Sequence, residues 1–330
     1  MEIVFTEGIV VKDASSVGEV RRSAAAAAAK LKLDETRAGE LAILTTEVTR
    51  NVLIHGGGGQ VIIAGLKNSG GPVARILALD TGGGIENLAE ALRDGFSTAG
   101  TMGAGMGAMK RLADRFEIFT GRGGTMVLLE VGELVVPDRV EFAGLTLPYP
   151  GERVCGDGWH CERTSTRTVA VLVDGLGHGL GAAEAAQEAV ATVRQRIANS
   201  PGAILNYVHD ALKKTRGAVA AVVEVCPSEG KLTYAGVGNI AASTLSKGAS
   251  RSLISHNGTL GMIMKRVQEF QTEWTPDSVF VMHSDGLQSK WDLLSYPGLI
   301  SKHPALICGA LIRDFRRHRD DAGVVVLKAA

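Results

Sequence analysis

Four short stretches in the first 132 residues carry residue types suited to holding a nucleotide: ELAILTTEVTRNVLIHGG, ALDTGGGI, GAGMGAMKR and GGTMVLLE. In the first, Leu41, Leu44, Val48 and Val52 recur at helical spacing. That leaves Glu47 and Asn51, four apart, one turn from each other on a different face. A carboxylate and a carboxamide so placed can manage a metal ion and a water or hydroxyl. Asp80 ends an apolar, strand-like run. An acceptor there can take a hydrogen bond from the exocyclic amine of adenine, and Gly82 and Gly84 let the backbone approach the ring. Gly103, Gly105 and Gly107 alternate with small or flexible residues ahead of a helix-like tail, as in a loop that cradles phosphates. Gly124 and Thr125 open a further strand. The glycine run follows polar residues rather than a strand, so it is not a dinucleotide fingerprint, and the spacing G-x-x-x-x-G-K-[ST] is absent.

A second set of residues suits divalent cations. Asp157 lies in CGDGW, Asp174, Gly175 and His178 in VAVLVDGLGHGLG, Asp285 in VFVMHSDGL, and Asp320 and Asp321 in HRDDAGVVVLK. Asp174 and Asp285 each end an apolar strand and precede glycine, and the Asp320–Asp321 pair directly precedes the last strand. Carboxylates brought together at strand ends repel one another unless cations sit among them. Oxygen-only ligation favours Mg²⁺ or Mn²⁺ over zinc. Two such ions about 3.5–4 Å apart can turn a water into a nucleophile. Cys155, His160 and Cys161 lack a fourth zinc ligand at a usual spacing.

The elements that must position these residues fall into two halves. Residues near 15–30 and 34–55 read as helices, and VIIAGL, ARILALD, FEIFT and TMVLLEV as strands. GIENLAEALRDG reads as a short helix ending at Gly95. Together they make an α/β layer with helices on one face of a sheet. Between about 132 and 151 three prolines and a loss of helical periodicity mark a boundary, with one strand near Val140. The second half is richer in strands, with two helices, and reads as a β-sandwich with helices outside. At 330 residues two domains are the natural expectation. Formal charge is zero, without long runs of one sign, which argues against an extended nucleic-acid surface. No signal peptide or bilayer-length apolar run is present, so neither export nor a membrane partner is expected. The four scattered cysteines read as reduced thiols of a cytoplasmic protein.

The four nucleotide blocks, in this order, resemble the GHKL ATPase superfamily: its N box, its D-x-G-x-G box, its glycine-rich lid and its closing G-T. Within it they are most similar to the anti-sigma-factor serine kinases of the RsbT type, switch kinases of the bacterial stressosome. The resemblance covers residues 1–132 and departs where DTGGGI replaces the usual D-x-G-P-G. It implies a Bergerat-type α/β sandwich that uses Mg·ATP. Asn51 would bind Mg²⁺, Glu47 would be the general base for a serine or threonine hydroxyl, and Asp80 would read adenine. Gly82, Gly84, Gly103, Gly105 and Gly107 would shape pocket and lid, with Thr125 near the adenine.

After a linker at 133–143, residues 144–330 resemble the metal-dependent PPM-type phosphatases of the SpoIIE-like branch, in its short, sensor-free RsbX type. The motifs that carry this are D-G-x-G-H-G, G-x-G-N, S-D-G and D-D-x-x-x-V. An α-β-β-α sandwich with two Mn²⁺ or Mg²⁺ ions is implied. Asp174 and the Gly175 carbonyl would bind one ion, and Asp174, Asp285 and Asp320 the second. Asp157 would bind or orient a metal-bound water, Asn239 would support the site, and Asp321 is read as a strand-end cap or turn residue. The pair of resemblances implies a kinase and phosphatase acting on STAS-domain partners, either an anti-sigma-factor antagonist or a stressosome scaffold. The alternative is a phosphatase whose N-terminal half only binds ATP or docks a partner. Oligomeric state stays open, a homodimer included.

Overall fold

The computed structural model describes residues 2–92, 105–121, 123–135 and 139–330. The chain divides into two compact units, Met1–Val136 and Pro137–Ala330.

The first unit opens with strand β1 (Glu2–Val11) and helices α1 (Ala14–Leu31) and α2 (Glu35–Ile54). Asp13 starts α1 by accepting the amides of Ser15 and Ser16, while the Ser16 hydroxyl meets the Asp13 amide in return. This reciprocal cap satisfies donors that the first helical turn leaves open. Asp34 caps α2 through the Arg37 amide. Strands β2 (Gly59–Lys67) and β3 (Pro72–Asp80) follow, then two short helices, α3 (Leu88–Ala91) and α4 (Met106–Leu112), and strands β4 (Arg115–Gly121) and β5 (Gly124–Gly132). The sequence expects a helix running to Gly95, but α3 ends at Ala91, and residues 93–104 lie outside the described ones.

All five strands pair antiparallel in the order β1-β2-β3-β5-β4. The α1 side chains Val20, Ala24, Ala27 and Leu31 and the α2 side chains Leu41, Leu44, Val48 and Val52 are buried with Val61, Ile63, Ile76 and Leu129 of the sheet. The alanine run supplies small side chains, so α1 sits close to the strands. Thr45 and Thr49 are also buried in α2, and their hydroxyls donate back to the carbonyls of Leu41 and Thr45. That returns the polar groups to the helix rather than leaving them unpaired in the core.

The second unit is a four-layer sandwich. One sheet has the order β15-β10-β9-β8-β7 and comprises β7 (Asp157–Arg163), β8 (Thr168–Gly175), β9 (Ala218–Cys226), β10 (Lys231–Val237) and β15 (Phe270–Glu273). The other has the order β12-β11-β16-β17-β6 and comprises β6 (Val140–Leu147), β11 (Ala241–Ser246), β12 (Ala249–Leu253), β16 (Val279–His283) and β17 (Ala322–Ala329). Between them in sequence falls a small hairpin, β13 (Gly258–Thr259) with β14 (Ile263–Met264). Helices α5 (Leu180–Gln195) and α6 (Pro201–Ala211) cover the first sheet, burying Ala185, Ala189, Ile204 and Val208 against Val171, Val222 and Ala235. Helix α7 (Pro304–Phe315) lies on β6 and β17. The sheets meet where β6 and β17 lie against β7 and β8.

Strand β6 begins at Val140, inside the stretch read from sequence as linker, and pairs with β17 from Val140↔Ala329 to Leu147↔Ala322. The prolines that suggest a linker, at 137, 148 and 150, flank this strand instead of interrupting it. Among the described residues no helix is long and apolar enough to cross a membrane.

Candidate functional site

In the first unit the α2 stripe that enters the core turns Glu47 and Asn51 to its half-buried flank. Glu47 Oε1 meets Arg50 Nη1 at 3.4 Å. Such an exposed pair is weak and leaves the carboxylate able to change partners. The helix ends at a turn in which the Asn51 carbonyl accepts the amides of His55 and Gly56. Gly56 lies hard against β3, so that a Cβ there would sit 2.4 Å from the Asp80 Cβ. The α2 terminus and the β3 terminus therefore share one end of the layer, with Asn51 in the last turn of α2 and Asp80 at the end of β3.

Asp80 is buried, and its Oδ1 accepts the Gly82 amide at 2.9 Å and the Thr125 amide at 3.0 Å. Thr125 thus anchors Asp80 through its backbone. Its hydroxyl meets Thr120 Oγ1 at 3.1 Å, and that oxygen accepts the Ile85 amide at 2.8 Å. Gly84 has φ +80°, and a Cβ there would lie 2.3 Å from the Gly121 carbonyl oxygen, so this turn accepts only glycine. Gly105 caps α4 and Gly107 is buried within it, while Gly103 lies outside the described residues. A carboxylate fixed by two amides, a glycine-lined backbone around it and a polar helix face opposite form a site that fits an adenine nucleotide with its cation.

In the second unit β7 and β8 pair so that Asp157 stands opposite Asp174. Gly175 ends β8. A Cβ there would come within 2.2 Å of the Ala182 carbonyl oxygen, so glycine lets α5 dock over the strand end. β16 and β17 are neighbours, and Asp285 follows one as Asp320 precedes the other. Asn239 Nδ2 donates to Asp285 Oδ2 at 2.8 Å, and Asp320 Oδ1 accepts the Asp321 amide at 2.9 Å.

These acidic groups act on one another. Burial, reinforced by the charges of Asp285, Asp320 and Asp321, pushes the Asp174 carboxyl up to about 7. Burial also holds Asp157 well above the carboxylate range. Asp174 adds to that, and the Ser284 hydroxyl opposes it. Asp285 is raised, first by burial and then by Asp320. Among the described residues no three acidic, histidine or cysteine side chains are closed into a preformed metal cage. Yet Asp157 Oδ1 and Asp321 Oδ2 are buried without a hydrogen-bond partner. Mutually raised carboxyls and orphaned carboxylate oxygens fit divalent cations that prefer oxygen.

Several contributors escape a reading of sequence. Asp321, read there as a strand-end cap or turn residue, is buried, and its Oδ1 accepts the Tyr149 amide at 2.7 Å, a partner the sequence does not announce. Ser284 donates to Asp157 Oδ2 at 2.6 Å and accepts the Gly323 amide at 2.8 Å, tying the two sheets together at the site. Its position directly before Asp285 was the available signal. Tyr149 offers only a backbone amide, for which no sequence signal exists. His178 pairs with Glu152, with Nδ1 3.0 Å from Oε1, and stacks on Tyr149. Ser284→Ala should leave Asp157 Oδ2 unpaired and lower stability by about 1–3 kcal/mol, read by chemical denaturation.

The profile of the family described as Stage II sporulation protein E (SpoIIE) matches residues 164–330, and that of the histidine kinase-like ATPase domain matches residues 10–131. The chain belongs to the SpoIIE family. It joins an RsbT-like ATPase domain to a SpoIIE/RsbX-like phosphatase domain of PP2C type. The serine/threonine-protein kinase RsbT of Bacillus subtilis strain 168 is 38% identical over 73 residues, 22% of this chain and 55% of the kinase. This SpoIIE-family chain therefore spans little more than half of that relative. The phosphoserine phosphatase RsbX of the same organism is 25% identical over 138 residues, 42% of this chain and 69% of the phosphatase. A solved structure from work on the bacterial stressosome, described as a modular system adapted to control secondary messenger signalling, is 28% identical with a TM-score of 0.55. It aligns over 58% of this chain and 100% of its own.

Proposed function

We propose that the chain is a bifunctional cytoplasmic regulator that phosphorylates and dephosphorylates serine or threonine on STAS-domain partners, in a partner-switching or stressosome pathway. The observation that carries it is the set of strand-end aspartates of the second unit, whose mutual repulsion calls for cations, in the same chain as a nucleotide-shaped first unit. The names of the relatives, a serine/threonine kinase and a phosphoserine phosphatase, support the same reading.

In the kinase half Asp80 would accept a hydrogen bond from the adenine amine, and the Asn51 carboxamide oxygen would hold Mg²⁺. Glu47 takes the proton from the incoming hydroxyl, leaving its weak pairing with Arg50. Gly105 and Gly107, at the start of α4, would border the phosphates. Phosphoryl transfer asks mainly for positioning and charge neutralisation, which these groups supply. In the phosphatase half Asp174 and the Gly175 carbonyl would hold one cation, and Asp174, Asp285 and Asp320 the other. Bound Mg²⁺ or Mn²⁺ would supply charge neutralisation for the phosphoester and activation of water. Asp157, held by Ser284, would orient the attacking water, and Asn239 fixes the rotamer of Asp285.

Cation binding needs these carboxyls ionised. Because Asp174 holds its proton up to about pH 7, Mn²⁺ affinity should fall steeply as pH drops below 7, read by calorimetric titration. The functional test is twofold on one preparation: Mg·ATP binding, and Mn²⁺-dependent hydrolysis of p-nitrophenyl phosphate. Loss of hydrolysis in the presence of Mn²⁺ would remove the phosphatase half, and failure to bind Mg·ATP the kinase half.

A further inference from the structure

We infer that Arg216 is the residue that grips the phosphoryl group of the substrate in the phosphatase unit. This rests on the phosphatase reading above and assigns it a group that the acidic cluster cannot supply. Four or five carboxylates balanced by two cations leave a phosphomonoester dianion with oxygens that still need donors. A guanidinium, which offers paired N–H groups and stays charged, is the side chain best matched to them.

The placement of Arg216 is set by backbone. It follows α6 at the mouth of β9, and the amide of Leu176, two residues beyond Asp174, donates to the Gly217 carbonyl at 3.1 Å. The side chain then lies across the loop between β8 and α5. A Cβ on Gly181 would be 2.6 Å from its Nε and 2.9 Å from its Cζ, and one on Gly177 would be 3.6 Å from its Nη1. The same loop borders the acidic cluster, because a Cβ on Gly156 would lie 3.3 Å from the Gly177 carbonyl oxygen and 2.6 Å from Asp321 Oδ2. Arg216 is exposed and, among the described residues, enters no hydrogen bond or ion pair. The nearby acid Glu152 is engaged by His178, and the first turn of α5 carries no acidic residue.

Its surroundings favour an anion. Leu180 is 73% exposed at the start of α5, and Met262 and Ile263 are 58% and 75% exposed on the hairpin that packs beside Gly217. None of these side chains carries a charge that would compete for the guanidinium. Glycine at 177 and 181 matters for the same reason, since a side chain at 181 would evict the guanidinium.

The test compares Arg216→Ala and Arg216→Lys with the parent as full-length, Mn²⁺-loaded chains. Inorganic phosphate, titrated calorimetrically, should bind about 10- to 100-fold more weakly to Arg216→Ala, with Arg216→Lys between. The kcat/KM for p-nitrophenyl phosphate should fall by a similar factor and recover in part on adding guanidinium chloride at millimolar concentration. Mn²⁺ affinity and Tm should match the parent. Phosphate binding within twofold of the parent would overturn the assignment. So would a parallel fall in Mn²⁺ affinity, which would make Arg216 a support of the cation cluster. A parent chain that binds Mn²⁺ but neither binds phosphate nor hydrolyses the ester would sink the phosphatase reading itself, and the assignment with it.

Discussion

Asp174→Asn should stop phosphatase turnover and, at the same time, make the metal-free chain harder to unfold. Asp174 is shared between both proposed cations, so its loss removes their common bridge. The several kcal/mol that cations contribute to phosphoester chemistry correspond to a fall of about 10²–10⁴-fold in kcat/KM. The stability effect has the opposite sign. In the folded chain the carboxyl titrates near 7, against about 4 when unfolded. A carboxyl whose pKa is raised on folding stabilises the fold below the unfolded value, and that stabilisation is lost progressively as pH rises from about 4 to about 7. At pH 8 the metal-free chain therefore carries an uncompensated charge facing Asp285, Asp320 and Asp321. Asparagine removes it, for a gain of about 1–3 kcal/mol, or a rise of several degrees in the Tm of the second unit. Differential scanning calorimetry in chelator, at pH 5 and pH 8, reads the stability effect, with the larger gain expected at pH 8.

The second large effect separates chemistry from binding in the first unit. Glu47→Ala should lower phosphoryl transfer by about 10²–10⁴-fold, the usual contribution of a positioned base, and leave nucleotide affinity close to the parent. Asp80→Asn should do the reverse. Asp80 holds the Gly82 and Thr125 amides with one oxygen, so asparagine can keep part of that frame while presenting the wrong polarity to an adenine amine. Nucleotide affinity is then expected to fall about 10- to 100-fold. Fluorescent-nucleotide binding and transfer to a STAS-domain protein distinguish the two. If Glu47→Ala transferred phosphate at the parent rate, α2 would be only a binding helix and the chain a phosphatase with a nucleotide-binding appendage.

Much of this was legible because chemistry and periodicity coincide. The α2 stripe of Leu41, Leu44, Val48 and Val52 is buried, which fixes where Glu47 and Asn51 point. Apolar runs that stop at Asp80, Asp174 and Asp285 mark strand ends, where a carboxylate can leave the sheet. Contributions made by backbone atoms far apart in sequence were not legible. The Tyr149 amide that holds Asp321 is one, and the Leu176–Gly217 link that delivers Arg216 is another. Strand β6 was half hidden because neighbouring prolines mimic a linker, although Val140 is buried against its partner. Asp321 is read from sequence as a strand-end cap or turn residue, but that it is buried and holds the Tyr149 amide is visible only in the fold.

Both activities, unrestrained on one residue, would do nothing but hydrolyse ATP. In the proposed scheme the two units are therefore kept from working on one residue at the same time. The most direct measurement follows the intact mass of a STAS-domain protein incubated with the full chain, first with Mg·ATP and then, after nucleotide removal, with Mn²⁺. The account predicts the gain of a phosphoryl group in the first step and its loss in the second, with Glu47→Ala blocking only the gain and Asp174→Asn only the loss. A mass that stays constant in both steps across the candidate STAS proteins, although the chain binds Mg·ATP and Mn²⁺, would contradict it.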